Sequence, residues 1–103
     1  MNNAFTNNGQ KREPQNVFIA AETREEAERL AERIRSASDY NVIGIATDRI
    51  RMEEAISGFM PVDALITDIA LNGEDVTPLF AKARQFNENI DILSTRRIRR
   101  TTP

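Results

Sequence analysis

Three acidic residues stand where a run of apolar residues ends: Glu22 after Val17-Phe18-Ile19-Ala20-Ala21, Asp48 after Val42-Ile43-Gly44-Ile45-Ala46-Thr47, and Asp68 after Val62-Asp63-Ala64-Leu65-Ile66-Thr67. A fourth run, Asn89-Ile90-Asp91-Ile92-Leu93, ends on Ser94 and Thr95. Carboxylates and hydroxyls matter here because the chain contains no histidine and no cysteine. Without histidine, the commonest general base and the commonest metal ligand are missing together, which excludes serine-histidine triads and zinc-hydrolase sites. Without cysteine there is no disulfide, thiolate metal site or thiol nucleophile, a composition compatible with the cytoplasm. Any chemistry must run through oxygen.

The runs that carry these residues alternate with helical patterns. Residues 1–16 are rich in Asn, Gln and charge, contain Gly9 and Pro14 and show no period, so they read as a flexible leader. The run from Val17 has the continuous apolar character of a strand buried on both faces. Thr23 followed by Glu26 has capping-box spacing, and Ala27, Leu30, Ala31 and Ile34 recur at helical intervals behind it, predicting a helix from about Arg24 to about Ser38. A second strand over residues 41–46 leads to Thr47-Asp48, read as the cap of a short helix with Ile50, Ala55, Ile56 and Phe59 on one stripe, ended before Pro61. The third strand closes on Asp68, and Asn72-Gly73 marks a loop. Thr77 and Pro78 read as cap and first residue of a helix presenting Leu79, Phe80, Ala83 and Phe86, and residues 89–95 form the fourth strand. Strands alternating with helices at this spacing predict right-handed crossovers and a doubly wound parallel α/β sheet, whose ligand sites lie beyond the carboxyl ends of the strands. That is where Glu22, Asp48 and Asp68 fall.

At 103 residues and 40% apolar content the chain has room for one modest core. The order expected is a leader over residues 1–16, a domain over residues 17–96 and a basic tail over residues 97–103. No apolar run is long enough for a secretory signal or a membrane span, so a cytoplasmic protein without membrane contact is expected. The net charge of -2 hides an asymmetry: setting aside Arg96, Arg97, Arg99 and Arg100, ten basic residues face sixteen acidic ones, a balance of -6. An acidic body with four terminal arginines is a poor nucleic-acid footprint.

Residues 63–73, Asp-Ala-Leu-Ile-Thr-Asp-Ile-Ala-Leu-Asn-Gly, resemble the stretch around the phosphorylated aspartate in the receiver domains of bacterial two-component response regulators. Val17 to Thr23 resembles the first receiver strand with its acidic pair, and Ile90 to Thr95 the strand ending in the family's Thr or Ser. The resemblance runs from about residue 16 to residue 96, and the order and spacing of the three motifs match together. It implies a flavodoxin-like receiver topology with strand order two-one-three-four, lacking the family's fifth strand and last helix. It also implies that Asp68 accepts a phosphoryl group from a histidine kinase, a phosphotransfer protein or a small phosphodonor, and that Thr95 contacts the phosphoryl oxygens. Mg²⁺ would be held by Glu22, Asp68 and the backbone carbonyl of Ala70.

The departures from the family matter as much. Ala21 replaces the first acid of the pair, which predicts weak Mg²⁺ binding, and no lysine follows the fourth strand where the family has one. The function expected is a signalling domain that acts through protein contact and is not an enzyme. The alternative is a degenerate pseudo-receiver, an interaction module that works without phosphorylation. A phosphatase of the haloacid-dehalogenase kind would need a second acid two residues after Asp68, where Ala70 stands, and a cobalamin-binding relative would need a histidine. With one helix on one sheet face and two on the other, the first face over the third and fourth strands is left uncovered at residues 64–67 and 90–93, and self-association is expected.

Overall fold

In the computed structural model, which describes residues 14–37 and 39–95, four parallel strands form one sheet. The elements are β1 (Gln15–Ala20), α1 (Arg24–Arg35), β2 (Tyr40–Ala46), α2 (Arg49–Glu54), β3 (Ala64–Thr67), β4 (Ala70–Leu71), β5 (Glu74–Asp75), α3 (Pro78–Phe86) and β6 (Asp91–Ser94). The main sheet has the order β2-β1-β3-β6, and β4 and β5 form a separate antiparallel pair. The α/β class and the order of the four long strands agree with the sequence expectation. β1 begins at Gln15, inside the stretch read as a leader; residues 1–13 of that stretch and the basic tail lie outside the described residues.

Side-chain alternation along each strand divides the core in two. Val17, Ile19 and Ala21 point with Ala64 toward Ala27 and Ala31 of α1. Phe18, Ala20, Ala46 and Leu65 point the other way, toward Met52, Ala55 and Ile56 and toward Leu79 and Ala83 of α3. Asn16 and Asp63 fix the register at the amino end. The Asn16 amide donates to the Asp63 carboxylate at 2.8 Å, and the Asp63 amide returns a bond to the Asn16 carbonyl, also at 2.8 Å. Between Val17 and Phe18 the register against β2 slips by one residue, so that Val17 pairs with Val42 but Phe18 pairs with Gly44. Ile43 is the extra residue of this bulge. Gly44 is required there, because a Cβ would stand 2.8 Å from Cε1 of the Phe18 ring.

Two caps form as expected. The Thr23 hydroxyl accepts from the Glu26 amide at 3.1 Å, and Asp48 Oδ1 accepts from the Arg51 amide at 2.8 Å. Two expectations need correction, and a third is sharpened. The buried stripe runs through Met52 to Ala55 and Ile56, three and four residues on, with Ile50 69% exposed because a residue two positions before Met52 lies on the opposite side of the helix. Thr77 precedes α3 but caps nothing; its amide and hydroxyl both donate to Asp75 Oδ1, at 2.9 and 2.8 Å. The Asn72-Gly73 loop is the tight turn of a hairpin, with φ of 55° at Asn72 and 79° at Gly73, the left-handed pair that an Asn-Gly turn accommodates. On the α1 face over β3 and β6, Ala64 is buried, Ile66 half-buried and Leu93 56% exposed. Ile90 is buried on the α2 and α3 side, so the exposed strip is narrower than the sequence suggests.

Candidate functional site

The sheet ladder itself assembles the site. At the carboxyl edge the Asp68 amide donates to the Ala20 carbonyl at 3.1 Å, and the Thr95 amide to the Thr67 carbonyl at 3.0 Å. These bonds continue the β1–β3 and β3–β6 ladders one residue past the strands, setting Glu22, Asp68 and Thr95 on neighbouring strand ends. Asp68 is 9% exposed, an unusual burial for an aspartate. Both of its oxygens have donors: the Thr95 hydroxyl gives its proton to Oδ1 at 2.7 Å, and the Glu22 amide donates to Oδ2 at 3.1 Å. The carboxylate is therefore fixed in one orientation by a side chain just past β6 and a backbone group from the β1–α1 loop.

The structure thus brings together Asp68, Thr95 and Glu22, the last through its backbone, with its side chain exposed. Ala70 lies in β4, in the hairpin that follows Asp68. The Val76 amide donates to the Ile69 carbonyl at 2.9 Å, and the ladder alternation makes the next pair, Ala70 with Asp75, a non-hydrogen-bonded one. The Ala70 carbonyl is thereby left outside the hairpin ladder and open to another partner. Among the described residues no group of three or more acidic, histidine or cysteine side chains gathers as a metal centre. The Asp68 carboxylate, the Ala70 carbonyl and the exposed Glu22 carboxylate are oxygen donors of the type a hard cation such as Mg²⁺ takes, and of these only Asp68 is fixed by hydrogen bonds. Ala21 is fully buried against α1, so the acid missing from the pair has been replaced by core.

Thr67 is a residue the sequence reading passed over. Fully buried on the α2 side of the sheet, it donates from its hydroxyl to the Asp68 carbonyl oxygen at 2.7 Å, beside Met52 Sδ at 3.7 Å. A threonine in an otherwise apolar strand, just before an acid, was the available signal. Arg49, at the start of α2, is another such residue: its Nε is buried without a hydrogen-bond partner.

No family model, curated protein or solved structure matches this chain. Its own fold and site define it as an α/β protein with a four-stranded parallel sheet and an aspartate–threonine pair at the carboxyl edge. Among the described residues no helix is long and apolar enough to cross a membrane.

Proposed function

We propose that the chain is a receiver-like signalling domain of flavodoxin-like topology that accepts a phosphoryl group on Asp68 and acts through protein contact. The observation that carries this reading is the hydrogen bond from the Thr95 hydroxyl to the nearly buried Asp68 carboxylate, at the edge where parallel α/β sheets place their ligands. One Asp68 oxygen attacks the phosphorus of a phosphohistidine or a small phosphodonor. A new O–P bond forms, the bond from phosphorus to the donor breaks, and the electron pair leaves with the donor. Each oxygen accepts a single hydrogen bond and keeps a second lone pair, so either can attack with its donor in place. Once the ester oxygen has lost its negative charge, the Thr95 hydroxyl or the Glu22 amide can turn toward the more highly charged phosphoryl oxygens. The Glu22 carboxylate, the other Asp68 oxygen and the Ala70 carbonyl would hold Mg²⁺, which supplies positive charge against the incoming phosphoryl group.

A second reading draws on the same geometry. Because Asp68 is already satisfied by two donors and Ala21 belongs to the core, the site also suits a pseudo-receiver in which Asp68 only joins three strand ends. One experiment separates the two. Treated with acetyl phosphate and Mg²⁺, the wild-type chain is expected to gain the mass of one phosphoryl group and Asp68→Asn none. Equal gain in both would remove Asp68 from the role, and no gain in either would favour the pseudo-receiver.

A further inference from the structure

Phosphorylation of Asp68 would place a dianion where the two existing partners, a hydroxyl and an amide, are neutral. Beyond the charge a metal ion would supply, a side-chain cation for this dianion has to come from elsewhere in the fold. Lys82 is paired with Glu53 at 2.7 Å, and Arg24 with Glu28 at 3.5 Å. Arg49 has its Nε buried at the start of α2, and Arg51 lines a groove beside β2 with Phe18 and Gly44. Arg29 and Arg33 differ, because they share a cleft with a residue of the site. Between α1 and the end of β6 lies a cavity of about 190 Å³ lined by Glu26, Arg29, Leu30, Arg33 and Thr95.

We propose that this cleft binds a phosphate-class dianion, with Arg29 as its main cation and Arg33 behind it; the inference rests on the reading of Asp68 as phosphoacceptor. Residues four apart lie on one helical stripe, so both guanidinium groups serve the same cleft. Helical side chains lean toward the amino end of their helix, and α1 begins at the sheet edge that carries Asp68, so Arg29 leans toward the site. A guanidinium presents a planar fork of donors suited to phosphate oxygens. Thr95 connects the two places, since the hydroxyl that contacts Asp68 belongs to a residue of the cleft wall. Glu26, half-buried and already engaged in a polar interaction, sets a negative charge at the cleft and opposes an anion there.

The test uses the full chain with inorganic phosphate as probe, titrated at constant ionic strength and followed by NMR at the Arg29 side chain and the Thr95 amide. Both signals are expected to move together. Arg29→Gln should weaken binding roughly fivefold, the scale of one partly exposed charge contact, Arg29→Lys should retain most of it, and Glu26→Gln should tighten it. In a second arm, acetyl phosphate and Mg²⁺ should label Asp68 about fivefold more slowly in Arg29→Gln. Arg29-dependent phosphate binding with no label on Asp68 would uphold the cleft and overturn the phosphoacceptor. Equal labelling of wild type and Arg29→Gln, with phosphate leaving Thr95 unmoved, would uphold the phosphoacceptor and overturn the cleft.

Discussion

Ala21 shows how a single residue sets the terms for the site. Its side chain is fully buried with Val17, Ile19, Ala27 and Ala31, so an acid there would enter an apolar cluster rather than open solvent. Ala21→Asp is therefore expected to destabilise the fold by about 2–4 kcal/mol in metal-free buffer, the range for a poorly paired charge in a core. If Glu22 and Asp68 hold a cation, the new carboxylate finds a partner there and millimolar Mg²⁺ restores part of the loss through mass action. Denaturant melts of both proteins with and without Mg²⁺ check this. Recovery absent from Ala21→Asp would mean that no cation binds at this edge.

The hairpin and the helix that follows it are joined through Asp75, whose carboxylate holds Thr77 just ahead of α3. The Thr77 amide and hydroxyl lower the Asp75 pKa by donating to its carboxylate, with burial opposing and Arg49 adding a little. Lys82 lowers that of Glu53 in the same sense. A carboxyl whose pKa is depressed by folding stabilises the fold above its unfolded value and loses that contribution as pH falls through the folded one. Thermal unfolding temperatures should therefore decline between about pH 5 and pH 3, and Asp75→Ala should start a few degrees lower at neutral pH and decline less steeply. An identical slope in the variant would remove Asp75 from this role. The same region shows what a sequence reveals at this scale. Thr77 next to Pro78 satisfies the pattern of a cap, but the pattern cannot register that a nearer acid competes for the threonine hydroxyl. Asn72-Gly73 revealed the turn, and strands of two residues are too short for alternation to reveal the rest. Asp68 and Thr95 were legible because each ends an apolar run. Their hydrogen bond depends on β3 and β6 being neighbours in register, a relation no local pattern carries.

At the scale of the molecule, both edges of the sheet behave differently from its centre. Among the described residues β6 pairs only with β3, and beside it Leu93 is 56% exposed on the α1 face next to half-buried Ile66. An unpaired strand edge flanked by exposed leucine favours pairing with another chain. We expect the protein to self-associate at micromolar concentration, and Leu93→Lys to weaken that association roughly tenfold or more, the scale of one leucine-sized burial. Sedimentation velocity across a concentration series measures it; a wild-type monomer throughout would exclude the association.

At the opposite edge, the bulge at Ile43 bears on how this chain can change length over generations. β2 carries one residue more than β1 can pair, and the surplus falls between Val42 and Gly44. Losing Ile43 would join those two directly and leave Gly44, Ile45 and Ala46 facing Phe18, Ile19 and Ala20 as before. A deletion within β1 or β3 would instead turn every following side chain to the wrong side of the sheet. The bulge is thus the place within the main sheet where a lineage can shed a codon without exchanging inside for outside.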